Sequence, residues 1–278
     1  MNVKRKGLCV FALVLASGFS AGQALASPIF DDGIPVGWDC VGNCGTSGPD
    51  GVVTAPPTGG TQYGWVSTFE GENNVALDGI GGEGNPTNGS KLTSSTFSAE
   101  AGMELSFAFN YITSDGAGFA DYAWARLLDA ANNEVALLFT ARTTPEGSIV
   151  PGFEMPDPQA TLDPAEATII AGAPSWSPLG DSSGSCFDDG CGYSDWVMSY
   201  FDIATTGEYK LEFGVTNWID TAFDSGLAFD GLALNGEFIG PQPDPKPDPS
   251  PVPAPATLLL FGLGLIGLGV SRQGRSKA

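Results

Sequence analysis

Two stretches of the chain alternate so regularly that they leave little freedom of fold. Residues 104–113 read ELSFAFNYIT and residues 208–218 read EYKLEFGVTNW. In the first, Leu105, Phe107, Phe109 and Tyr111 alternate with Ser106, Ala108 and Asn110; in the second, Tyr209, Leu211, Phe213 and Val215 alternate with Lys210 and Glu212. A period of two gathers each apolar set on one face of a pleated strand, whereas a helix would scatter it around the axis. Three further segments behave alike. DYAWARLLD (121–129) and EVALLFTAR (134–142) flank the turn pair Asn132-Asn133 and predict a hairpin, with Val135, Leu137, Phe139 and Ala141 on one face. DWVMSYFDIA (195–204) and SGLAFDGLALNG (225–236) complete the set, and no long segment has the 3.6-residue period.

Between these strands lie turn-forming stretches such as CVGNCGTSGPDG and GIGGEGNPTNGS. Prolines at 145, 151, 156, 158, 164, 174 and 178 deny a central strand to that region, which reads as an irregular insertion over about 143–194. Within it, DPAEATIIAG suits a short helical turn or an edge strand. The expected fold class is all-β: an antiparallel β-sandwich, jelly-roll-like, spanning residues 27–239.

The chain's two ends read as addresses. Lys4, Arg5 and Lys6 precede an apolar stretch over 8–19, followed by Ala24-Leu25-Ala26. That order reads as a secretory signal peptide over residues 1–26, with cleavage expected between Ala26 and Ser27 and Ala24 in the recognition position. It implies Sec export and signal peptidase as partners. At the other end, GPQPDPKPDPSPVPAP starts a Pro-rich linker (240–251), a semi-rigid spacer. An apolar run over 256–270 follows, then a basic tail (271–278) with Arg272, Arg275 and Lys277. Fifteen residues make about 22 Å of helix, short of the ~30 Å hydrocarbon core. Gly262, Gly264, Gly267 and Gly269 weaken it further as a permanent anchor.

Val252-Pro253-Ala254-Pro255, the apolar Gly/Leu-rich segment and the basic end together resemble the PEP-CTERM sorting signal of Gram-negative bacteria, with Ala254 where the name motif has Glu. The resemblance implies a tail over 252–278 that is recognised by exosortase, a membrane cysteine transpeptidase-like enzyme, and cut near Pro253–Pro255. It implies a short transmembrane sorting helix with a cytoplasmic C-terminus held transiently in the inner membrane, then release to the cell envelope, surface or extracellular matrix of an exopolysaccharide producer. The ectodomain resembles, more loosely, the β-sandwiches attached to such tails.

Charge and cysteine content narrow the chemistry. All 32 acidic residues lie between Asp31 and Asp248, opposed there by Lys91, Arg126, Arg142, Lys210 and Lys246. Such a surface repels nucleic acid and suits solubility or cation binding. Cys9 lies in the signal peptide, so an exported chain keeps Cys40, Cys44, Cys186 and Cys191. An even count reads as two disulfides rather than zinc ligands, with Cys40–Cys44 and Cys186–Cys191 the pairing that closes two small loops. Histidine is absent, which excludes Ser-His-Asp and Cys-His nucleophile systems and the usual zinc hydrolase sites.

Three features could carry function. Asp220, Asp224 and Asp230 fall within eleven residues and are candidate ligands for a structural Ca²⁺; the alternative is a solvated acidic loop. Asp181, Asp188 and Asp189 cluster about the second cysteine pair. Trp176, in the insertion, and then Trp65 are the candidates for stacking on a sugar. The leading reading is a non-catalytic exported surface or matrix protein with no cofactor. The alternative is a carbohydrate-binding module for extracellular polysaccharide. A carboxylate-dependent glycoside-active enzyme stands last, because nothing in the sequence selects a pair of acids.

Overall fold

The computed structural model describes residues 29–145 and 147–239. The expected signal peptide, the Pro-rich linker and the sorting tail with Val252–Pro255 lie outside the described residues. The alternating segments form strands as the sequence predicts. The first half holds β1 (Asp39–Val41), β2 (Asn43–Ser47), β3 (Tyr63–Ser67), β4 (Glu72–Asn73), β5 (Pro86–Thr93), β6 (Phe97–Ala99) and β7 (Glu104–Thr113). Then come the hairpin β8 (Tyr122–Asp129) and β9 (Glu134–Arg142), followed by the short pieces β10 (Ser148–Val150), β11 (Thr161–Asp163), β12 (Ala167–Thr168), β13 (Ile170–Ala171) and β14 (Gly192–Tyr193). The chain closes with β15 (Val197–Asp202), β16 (Gly207–Trp218), β17 (Ser225–Leu234) and β18 (Glu237–Phe238), the last added by a turn at Asn235–Gly236.

Every strand pairing is antiparallel. One large sheet runs β1-β5-β16-β8-β9 and a second β11-β15-β7-β17-β3-β2, while β10 and β12 pair as a small third sheet. The proline-rich stretch contributes to the second sheet only at its edge, through β11, and through the small strands β13 and β14. That is where a strand without a full set of N–H donors can sit.

The inward faces meet in one core. Leu105, Phe107, Phe109 and Tyr111 of β7 and Leu227 and Phe229 of β17 pack against Tyr209, Leu211, Phe213 and Val215 of β16 and Ala123, Ala125 and Leu127 of β8. Two ring pairs bridge the sheets face to face: Phe213 on Phe229 with centroids 4.0 Å apart, and Phe109 on Phe139 at 3.7 Å. In β9 the expected face is broken. The register slips between the pairs Ala125–Phe139 and Arg126–Leu137. Past that slip Ala136 joins the inner core, Leu137 turns to the outside and Val135 is 47% exposed. A bulge of this kind reverses the parity that simple alternation assumes.

Both outer faces are also partly covered. Outside the second sheet, Trp176, Leu179 and Val53 cover Tyr63, Ile112 and Ala228. The Trp176 ring lies where a side chain at Gly226 would stand, since a Cβ there would sit 2.3 Å from it. Outside the first sheet, Val75 and Leu77 cover Tyr122, Trp124, Leu137 and Trp218. The two disulfides, Cys40–Cys44 and Cys186–Cys191, each staple a short loop.

The stacked pair fixes an expectation for stability. Phe229→Ala removes a fully buried ring from the centre of the sandwich and should cost about 3–5 kcal/mol in urea unfolding. Val135→Ala, at an exposed position of β9, should change stability by less than about 0.5 kcal/mol.

Candidate functional site

The cover on the first sheet stops halfway. Beyond it, β1, β5, β16 and β8 leave a groove of about 760 Å³. Strand parity explains what lines it. With Tyr209, Leu211, Phe213 and Val215 turned inward, Lys210, Glu212, Gly214 and Thr216 must point out. Across the sheet Glu212 stands opposite Thr93 on one side and Arg126 on the other, and Asp39 stands opposite Thr93. Lys91, Arg126 and Lys210 converge there with the hydroxyls of Thr93, Ser94, Ser95 and Thr96 and the amide of Asn132. The described residues contain four basic side chains, and three of them line this groove.

Glu212 organises the cations. It is 2% exposed and accepts from Arg126 Nε at 2.7 Å, Lys91 Nζ at 3.1 Å and Trp124 Nε1 at 3.3 Å. Gly214 makes this possible, because the Trp124 ring crosses it 2.2 Å from where a Cβ would be. Burial by itself would raise the Glu212 carboxyl. The hydrogen bonds and charges of Arg126 and Lys91 outweigh it and hold the group below its ordinary value. Lys210 donates to Asn132 Oδ1 at 2.8 Å, and Arg126 also reaches Glu134 at 3.4 Å. The result is a trough with hydroxyls on its walls, in which three cations outnumber the two lining carboxylates, Asp39 and Glu212, by one.

The fourth cation, Arg142, is not at the surface. It is 2% exposed, donates to the carbonyl oxygens of Ala120, Gly81 and Phe153, and lies 4.7 Å from the Trp218 ring centroid. Burial pulls its guanidinium below the ordinary value.

The sequence-derived candidates distribute differently from expectation. Asp220, Asp224 and Asp230 do not form one site. Asp224 and Asp230 lie six residues apart along extended chain, about 20 Å. Asp230 is buried beneath Thr58 Oγ1, at 2.5 Å, with its pKa pushed up to about 6 chiefly by desolvation. Among the described residues no three His, Cys, Asp or Glu side chains are grouped to hold a metal ion. Trp176 is fully buried and donates to Tyr63 Oη at 2.9 Å, so it packs the outer face of the second sheet and presents no ring to a sugar. Trp65 is half-buried, edge-on to Trp176, at a shallow depression with Asn43, Thr46 and Phe69.

Asp220 and Asp224 instead join a second polar cluster at one end of the sandwich. Here the inward positions that carry rings in the middle carry Thr113, Asn217 and Ser225. Ser225 Oγ donates to Asp121 Oδ2 at 2.6 Å and lies 2.8 Å from Thr113 Oγ1; Asp121 Oδ1 accepts from the Trp218 amide at 2.7 Å. Asp224 accepts from Thr68 Oγ1 at 3.0 Å and Ser182 Oγ at 2.9 Å, and its backbone oxygen accepts from Ser114 Oγ at 2.8 Å. Asp115 accepts from the Gly116 amide at 2.7 Å. Desolvation, together with the charges of Asp220 and Asp224, pushes Asp115 up to about 7, and desolvation raises Asp121 and Asp224 as well. The Cys186–Cys191 loop packs on this end: the Phe187 amide bonds the Ser114 carbonyl at 3.0 Å, and the Phe187 ring meets Phe119 and Phe223.

Sequence reasoning counted Lys91, Arg126 and Lys210 as opposing charges without placing them together. The usable signal was their outward parity on alternating strands; the missing one was the strand order that makes β5, β16 and β8 neighbours.

The groove predicts an acid limb in stability. A carboxyl depressed in the folded state contributes stability above its unfolded pKa, and that contribution is lost as pH falls through the folded value. The Glu212 contribution, read as the difference in urea midpoint between wild type and Glu212→Gln, should therefore shrink from about pH 5 towards pH 3, against the opposite trend of Asp115, Asp121, Asp224 and Asp230, whose raised carboxyls favour the folded state in acid. At pH 7 Glu212→Gln should lose about 1–2 kcal/mol because Lys91 and Arg126 are left without their counter-charge.

Among solved structures, the enzymatically active domain of tailspike protein 4 from bacteriophage CBA120 is similar at 12% identity and a TM-score of 0.31, over 71% of this chain and 19% of that one. The alginate lyase of Corynebacterium sp. is similar at 11% identity and a TM-score of 0.27, over 62% of this chain and 76% of that one. The chain thus spans about a fifth of the tailspike's length. No curated protein matches it. Residues 251–273 match the model of the PEP-CTERM protein-sorting motif, so the chain carries that motif behind a β-rich ectodomain.

Proposed function

We propose that this is a non-catalytic protein of the bacterial surface or matrix that holds extracellular polysaccharide bearing carboxylate or phosphate groups. The PEP-CTERM motif over residues 251–273 supports sorting by exosortase to the surface. The polysaccharide reading rests on one observation: on a chain of formal net charge −21, three of the four described basic residues share one open groove with hydroxyls and an amide. A neutral sugar needs hydroxyl and amide partners and gains nothing from three cations. An anionic sugar uses both, through charge-assisted bonds from Lys and Arg.

Binding suits the groove better than catalysis. Glycoside hydrolysis needs an acid with a raised pKa facing a second carboxylate across the scissile bond. In the groove Glu212 is pinned by two cations and held ionised. The carboxyls with raised pKa, Asp115, Asp121, Asp224 and Asp230, are buried elsewhere.

Two measurements test the reading. Affinity electrophoresis against a polyuronate and a neutral glucan should show retardation by the polyuronate alone, weakening as salt rises. Lys210→Glu should weaken it about tenfold while leaving the melting temperature unchanged; equal retardation by the glucan, or an unaffected variant, would refute the groove. For sorting, a chain lacking residues 252–278 should fractionate differently from the intact one, whose mature mass should end near Pro253–Pro255. Identical fractionation would count against exosortase processing of this tail.

A further inference from the structure

Two oxygen atoms at the polar end of the sandwich have no partner among the described residues. Asp115 is 1% exposed and Asn217 is 0% exposed, and neither Asp115 Oδ2 nor Asn217 Oδ1 has a hydrogen-bond partner. Both are acceptors. A buried acceptor left without a donor is costly, so native structures supply one from protein, water or an ion. The two residues belong to one constellation. Asn217 Nδ2 bonds Asn88 Oδ1 at 3.1 Å, Asn88 bonds the Thr68 carbonyl at 2.9 Å, and Thr68 Oγ1 bonds Asp224 at 3.0 Å. Asp115 follows Ser114, whose amide and hydroxyl both hold the Asp224 backbone oxygen.

The charge around them has one sign. Asp115 feels the charges of Asp220 and Asp224, and Asp121 those of Asp115 and Asp220. Arg142, whose charge reaches Asp121, spends its hydrogen bonds on backbone carbonyls. Lys91, Arg126 and Lys210 are committed to the groove. None of the four basic side chains among the described residues is left to complete the site, and a bound cation would supply the missing positive charge.

We propose that this end of the sandwich binds a hard divalent cation of the size of Ca²⁺, with Asp115 Oδ2 and Asn217 Oδ1 among its ligands and Asp220 and Asp224 supplying the surrounding negative charge. The ligand chemistry is oxygen throughout, which selects hard cations over zinc or copper. The set differs from Asp220, Asp224 and Asp230, since Asp230 lies on the outer face of the second sheet and Asp115 and Asn217 take its place. The site ties the end of β7 and the loops after β16 to the Cys186–Cys191 loop packed on them, so occupancy should stiffen that end as one unit. This inference is independent of the groove.

The test uses the mature exported protein, stripped with EDTA and dialysed. Adding 1 mM CaCl₂ at pH 7 should raise the melting temperature by several degrees, and Tb³⁺ should give luminescence sensitised by nearby aromatic rings and displaced by Ca²⁺. Asp115→Asn and Asn217→Leu should abolish both responses; Asp115→Asn should melt no lower than wild type in EDTA, because it removes a buried charge, whereas Asn217→Leu also loses its bond to Asn88 and its Ca²⁺ response is read against its own melting temperature in EDTA. If Ca²⁺ up to 10 mM shifts nothing, the proposal is overturned, and melting that is highest in acid and indifferent to EDTA would show that protons fill the site instead. An undiminished Ca²⁺ shift in both variants would place the ion elsewhere and equally overturn it. Polyuronate binding by Lys210→Glu reports on the groove alone, so the two ideas fail separately.

Discussion

Phe213 and Phe229 lie face to face with centroids 4.0 Å apart, one from each sheet, and much else follows from that contact. A strand has no freedom to turn one side chain without turning its neighbours. With Phe213 inward, Glu212 and Gly214 must be outward; with Phe229 inward, Ala228 and Asp230 must be outward. Glu212 then gathers Arg126, Lys91 and Trp124, and Gly214 leaves the room that Trp124 needs. The core therefore dictates the charge pattern of the opposite face without touching it.

The same alternation explains how one framework supports two unlike polar regions. On the first sheet, cover by Val75 and Leu77 ends partway, and what is left open is hydroxylated and cationic. At the end of the sandwich the interior itself changes character, from Phe109 and Tyr111 to Thr113 along β7 and from Val215 to Asn217 along β16. Apolar burial in the middle carries the stability that lets the end hold buried carboxyls.

Much of the fold was legible because alternation is a local property. The strand at Glu104–Thr113 and the pairing of β8 with β9 can be read from a dozen consecutive letters. What could not be read depended on residues far apart. Leu137 left its expected face because a bulge displaced the register. Trp176, set among prolines, looked exposed, yet the insertion folds back and buries it against Tyr63, 113 residues earlier in the chain. Asp220, Asp224 and Asp230 looked clustered because they are near in sequence, but a strand spreads neighbours as efficiently as it aligns them. Lys91, Arg126 and Lys210 are scattered in sequence and meet only because β5, β16 and β8 lie side by side.

Among the described residues the surface cations are confined to one groove, and this has a consequence for transport. In a gel of negatively charged polymer, most orientations of this domain would be repelled at close range, and the groove-first approach would be the least opposed. The domain would diffuse through such a gel with little non-productive sticking, and capture would select one orientation out of many. Because screening lengths are about 10 Å at 0.1 M salt, dilute surroundings would sharpen that selection and brine would blur it. The same sparsity of positive charge that keeps the molecule free thus also decides which way it faces when it stops.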